Sequence, residues 1–200
     1  MTYNAHITLP MLLTRLKYVL FAAIVLLFAS VNNSSAFAHN DETHEPNIHV
    51  IRKLLVSALN SKKTTDSLYN NLGALKNRSA LLNGYMGALQ ALKAKHAWNP
   101  YFKIKHLNDS KSTFEAAVKR DPHNIEIRFM RFSIEHNVPG FLGFNKNLVA
   151  DREEIIKQVD KKFYAQADKP LVKAIILFLI ESKRCTPAES TNLKQHLAAL

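Results

Sequence analysis

Between residues 79 and 97 the apolar positions Leu82, Tyr85, Met86, Leu89 and Leu92 step by three and four, which places them on one face of an α-helix. Gly84, Gly87, Ala88 and Ala91 lie among them and leave room for a neighbouring backbone to approach. The same period recurs on either side. Ile48, Ile51, Leu54, Leu55 and Leu59 mark a helix over 46–59 that opens at Pro46, a residue suited to a first turn. Polar residues 60–64 separate it from a short helix over 65–72, with Leu68 and Leu72 inward and Gly73 as its stop. After a corner at 96–101, Asn99 as N-cap and Pro100 open a helix that runs to residue 120. It carries Tyr101, Ile104, Leu107, Phe114, Ala117 and Val118, with a break expected near Asn108, Asp109 and Ser110. Asp121-Pro122 ends it, because proline cannot continue the hydrogen-bond ladder and constrains the residue before it.

Residues 110–137 are the stretch around which the rest is organised. Asn124 caps a helix over 125–136 in which Ile125, Phe129 and Phe132 mark one face and Ile127, Met130 and Ile134 another. Apolar residues on both sides imply a central position. In the loop 137–147, Phe141, Leu142 and Phe144 are apolar enough that the loop is expected to fold back over one end of the core. Three more helices follow: 148–161, the very apolar 169–183, and a last one opened by the capping box Thr186-Pro187-Ala188-Glu189 and docked by Leu193, Leu197 and Leu200. The expected fold is all-α, about eight helices in antiparallel pairs forming one helical domain over 47–200.

The beginning of the chain has a different pattern. Arg15 and Lys17 precede an uncharged run of twelve residues, 18–29, and a polar stretch leads to Ala36-Phe37-Ala38, with small residues where a signal peptidase cuts. Residues 1–38 therefore read as a signal peptide cleaved before His39, with a second possible cut after Ala36. Retention as an anchor is the alternative, although a spanning helix needs about twenty apolar residues. No cysteine stands near either cut, so a lipoprotein is not expected, and the product is a periplasmic or secreted protein that is not integral to a membrane. Residues 39–46 form a flexible polar arm. The one cysteine, Cys185, excludes an intrachain disulfide and reads as an incidental corner residue.

Charge adds a bias without a motif. Without residues 1–38 the chain carries 25 lysines and arginines against 16 carboxylates, a net +9, which attracts anionic surfaces. The basic residues are scattered, and no run resembles a specific nucleic-acid arm. There is no Walker A, dinucleotide, H-E-x-x-H or G-x-S-x-G pattern, no cofactor is implied, and an enzyme is the less favoured class. Arg128 and Arg131 share a helix face at i, i+3 and could clamp a carboxylate or phosphate, with His136 nearby. His96 and Trp98 at the corner complete the candidate ligand-binding residues. His39 and His44 in the polar arm, with a free amine at His39, are candidate metal ligands, against a reading of the arm as an unstructured terminus.

Two resemblances bear on these residues. Phe114, Ala117, Asp121, Pro122 and Asn124 look like the second helix and corner of a tetratricopeptide repeat, although Ser110 stands where a small alanine is expected and no 34-residue period recurs. One degenerate repeat and a solenoid-like bundle are what this implies. Separately, the span 84–156, with AKHAWNPYFKIKHLNDS, DPHNIEIRFMRFSIEHN and FLGFNKN, resembles a family of exported helical proteins of Bacteroidota to which no activity attaches. That resemblance implies a Gram-negative periplasm. The function expected is a helical-repeat-like binding or scaffold protein for another protein or peptide. Its rival is a small-ligand protein or enzyme using Arg128, Arg131 and His136; metal handling by the His39 arm is a third reading.

Overall fold

At seven of the eight α-helix starts among the described residues a side chain accepts a backbone N–H left over by the first turn, and the chain folds into helices between such caps. The computed structural model describes residues 46–164 and 167–200. It contains α1 (Ile48–Ala58), α2 (Lys62–Gly73), α3 (Ala80–His96), α4 (Pro100–Arg120), α5 (Ile125–Asn137), α6 (Leu148–Asp160), α7 (Lys169–Glu181) and α8 (Pro187–Ala198). Among the described residues there is no strand, and the architecture is all-α. Asn47, Ser61, Ser79, Asn99, Asn124, Asp168 and Thr186 are the caps. Thr186 and Glu189 form the expected reciprocal box. The expected signal peptide and most of the expected polar arm, including His39 and His44, lie outside the described residues.

Helices α3 and α4 run antiparallel. Lys103 reaches the carbonyls of Ala94 and Lys95, Ser110 that of Gly87, and Arg120 that of Arg78, so α4 descends as α3 rises. In the same sense Glu135 meets Asn147 and Arg131 meets Asp151 across α5 and α6. Helix α3 lies close to two neighbours because two of its positions are small: a Cβ at Gly87 would stand 2.9 Å from the Phe114 ring of α4, and one at Gly84 2.9 Å from the Met130 methyl of α5. Hence α3 touches α4 with one side and α5 with another.

Two hydrophobic clusters share α5. Ile127, Met130 and Ile134 join the cluster built by α1 to α4, whereas Ile125, Phe129 and Phe132 join the one built by α6, α7 and α8. The two apolar faces legible in the sequence are thus faces of two cores, and α5 is the wall between them.

Four local expectations differ from the structure. Helix α1 opens after Asn47, whose side-chain oxygen accepts from His49 N–H, so Pro46 precedes the cap instead of starting the helix. Helix α2 begins at Lys62, three residues before the expected start, because Ser61 caps it and Thr65 donates to the Ala58 and Ser61 carbonyls. Helix α4 is continuous through residues 108–110: Lys105 holds Asp109 at 2.9 Å and Ser110 spends its hydroxyl on Gly87 O at 2.7 Å, so neither competes with the ladder. In the loop, Leu142 and Phe144 pack on the first core as expected, but Phe141, at the centre of the 3-10 turn Gly140–Leu142, is 69% exposed. The turn closes at Gly143, whose φ of 74° suits glycine.

Candidate functional site

The arginine pair of α5 is engaged inside the protein. Arg131 sends Nε and Nη2 to the two oxygens of Asp151 at 2.7 and 2.6 Å, and Arg128 Nη1 reaches Oδ1 at 2.8 Å while its Nε donates to Pro122 O. Asp151, on the first turn of α6, has no exposed side-chain surface. The pair does clamp a carboxylate, and that carboxylate belongs to the same chain. One turn further along α5, Glu135 accepts from the Asn147 backbone N–H at 2.8 Å and its amide at 2.6 Å, substituting for the missing side-chain cap of α6. Burial holds the Glu135 carboxyl above its usual range, opposed by those two hydrogen bonds.

His136 does not join the arginines at Asp151. Its ring lies parallel to Phe132 and edge-on to Phe178, and its Nδ1 accepts from Arg184 Nε at 2.7 Å. Burial first, and the Arg184 charge second, push its pKa down, consistent with a neutral ring that accepts at Nδ1.

A second polar group lies deep in the first core. Arg52 of α1 makes a bidentate pair with Glu126 of α5 at 2.9 and 2.7 Å, and Tyr85 of α3 donates its hydroxyl to the same carboxylate. Arg52 also reaches Asp168, the N-cap of α7, at 3.4 Å, tying four helices together. Burial, then the adjacent Glu126 charge, holds the Tyr85 phenol well above its usual pKa. These partners are 41 to 116 residues apart, and no local spacing announces them.

The corner between α3 and α4 is built differently. His96 Nε2 donates to Ala58 O at 2.9 Å and Lys95 Nζ to Leu59 O at 2.7 Å, fixing the end of α3 on the end of α1. Trp98, two residues beyond His96, is 90% exposed, and Tyr101 and Phe102 at the start of α4 are 69% and 48% exposed. Phe102 lies edge-on to Tyr101 and parallel to His106. Between this corner and α2 opens a cleft of about 510 Å³, which takes in His96, Trp98, Phe102 and His106 together with Lys62, Lys93 and Lys105. Its carboxylate, Asp66, is bound by Lys62 at 2.5 Å and Lys93 at 3.3 Å. The Lys62 hydrogen bond, partly offset by burial and reinforced by Lys93, keeps the Asp66 carboxyl below its usual pKa. Two of the five candidate ligand-binding residues, His96 and Trp98, therefore share a cleft, which His106 of the same corner joins; Phe102, Lys93 and Lys105 do not stand out in the sequence. An aromatic residue at i+4 from Trp98 and basic residues near the same corner were the available signal.

Charge follows the same division. Residues 46–124, which form α1 to α4, carry thirteen lysines and arginines against four carboxylates, whereas residues 125–200 carry twelve against nine. The first half is net +9 and the second net +3. Among the described residues, no group of three or more His, Cys, Asp or Glu gathers where it could hold a metal ion, and no helix is long and apolar enough to cross a membrane. No family model matches the chain, and no curated protein or solved structure matches it either.

Proposed function

We propose that the protein is exported through its cleaved leader and works as a helical binding or scaffold protein, and that it presents the α3–α4 corner to its partner. The observation that carries this reading is Trp98, almost fully exposed, which lines a cleft together with exposed Phe102, itself edge-on to exposed Tyr101. Water-exposed aromatic groups contribute most of the energy of protein interfaces when they are covered. A contiguous group of them on an otherwise charged surface marks an interaction site. The rival reading, a ligand site at Arg128, Arg131 and His136, has less support, since Asp151 occupies the two guanidinium groups and His136 pairs with Arg184.

The test is recovery of the protein from its host's envelope fraction, with intact mass to locate its amino terminus and identification of what travels with it. A start at His39 and a co-purifying protein retained by the native chain but lost from Trp98→Ala/Phe102→Ala are the expected results. Retention of the leader overturns export by cleavage. A partner held equally by the double variant removes the corner from the binding face.

A further inference from the structure

We propose that the corner cleft is a docking site for an acidic peptide segment of a partner protein, one that sets aspartate or glutamate carboxylates against Lys62, Lys93 and Lys105 and an adjoining apolar side chain against Phe102 and Trp98. This rests on the binding reading above and names the chemistry of the partner. Charge points to an anion. Lys62, Lys93 and Lys105 stand against two carboxylates, Asp66 and Asp109, so the cleft keeps one positive charge in excess, and an incoming carboxylate competes for lysines that now share those two partners. The surrounding half of the molecule is net +9, so an approaching anion is drawn towards this side.

The lining favours a peptide over other anions. Asp66 is held by lysines and the Asn99 side-chain oxygen by Tyr101 N–H, so beside the Asn70 amide the lining is mainly lysine donors and aromatic faces. Carboxylates are acceptors only and match donors; sugar hydroxyls need acceptors as well. A bilayer is matched by cations spread around a protruding tip, whereas these lysines stand on α2, α3 and α4 around a concavity. A volume of about 510 Å³ suits a short segment with one apolar anchor. The α2 wall presents Lys62, Asp66 and Asn70 four residues apart, and the α4 wall presents Phe102, Lys105 and His106, so both sides of the groove are helix faces with fixed side-chain rows.

Trp98 is the chain's single tryptophan, so its fluorescence reports on this site alone. The protein as produced by its host is titrated with a short peptide of aspartates and glutamates around one phenylalanine, with the same peptide carrying asparagine and glutamine, with phosphatidylglycerol vesicles and with polygalacturonate. The expected result is a saturable blue shift with the acidic peptide that weakens as salt rises. In Lys62→Ala/Lys105→Ala it weakens about tenfold, while the helical circular dichroism and melting midpoint stay unchanged. Equal binding of the neutral peptide, a shift with vesicles or polyuronate only, or no shift with any probe overturns the proposal. A photoreactive benzoylphenylalanine at position 98, irradiated in the host, separates the two layers. A protein cross-link without an acidic-peptide response leaves the binding reading standing and removes the acidic-peptide chemistry; absence of any protein cross-link removes both.

Discussion

Asp151 has no exposed side-chain surface and holds Arg131 through two hydrogen bonds and Arg128 through one, so the three charges lie largely shielded from water. Removing one partner of such a group leaves the other charges without compensation, at a cost of about 3–5 kcal/mol. Arg131→Ala is therefore expected to lower stability by about 3 kcal/mol, read as the urea midpoint at unchanged slope. Arg128, part-exposed and with a single bond to Asp151, should cost less on removal. His136 gives a pH-dependent counterpart. Its pKa is depressed in the folded protein, so below the ordinary value near 6.5 the unfolded chain takes up a proton that the folded ring resists. More protons on the unfolded state mean that stability is full above that value and falls as pH drops through it, levelling off below the folded pKa. His106, lowered by burial and by Lys93, acts with the same sign. Unfolding midpoints measured from pH 8 to pH 5 should fall less steeply in His136→Gln than in the native chain; an unchanged slope would place the titrating group elsewhere.

At the scale of the element, the α3–α4 hairpin depends on Gly87. A methyl group there would stand 2.9 Å from two ring carbons of Phe114, a side chain buried to about 1% exposure that has little room to retreat. Gly87→Ala gains helix propensity of about 1 kcal/mol but is expected to lose more to overpacking, about 1–3 kcal/mol. Phe114→Leu in the same chain should return part of that loss, and thermal melting of the two variants and their combination measures the coupling. This contact was partly legible in the sequence, since glycines among leucines at helical spacing announce a close neighbour. The caps at Asn99, Asn124 and Thr186 and the two faces of α5 were legible for the same reason: each is fixed by residues within a few positions of one another. The early start of α2 was missed because Lys62 and Lys63 carry no apolar signal, although Ser61 is an ordinary cap. Asp151 as the target of Arg131, and Glu126 as the target of Arg52 and Tyr85, lie 20, 74 and 41 residues away, where spacing carries no information. The exposure of Trp98 and Phe141 was also hidden, because an aromatic residue in a corner reads equally as a plug or as a contact.

For the whole molecule, the decisive feature is that one helix supplies both cores. Helix α5 gives Ile127, Met130 and Ile134 to the cluster of α1 to α4 and Ile125, Phe129 and Phe132 to that of α6 to α8. The buried Arg52–Glu126 pair reinforces the join, because Arg52 also reaches Asp168 at the start of α7. Neither core can lose α5 without exposing the opposite face of the same helix, so the two should open together. Phe129→Ala tests this, since its ring packs edge-on against Phe178 in the second core alone. A buried phenylalanine truncated in this way costs about 3–5 kcal/mol. If α5 couples the clusters, native-state hydrogen exchange in the variant will show protection reduced by a similar free energy in the slowest amides of α3 and of α7. Protection lost in α6 to α8 alone, with α3 unchanged, would mean that α1 to α4 with α5 persist as a separate cooperative unit. In that case the electropositive half bearing the corner cleft would keep its shape while the other half opens, and binding at Trp98 would survive the substitution.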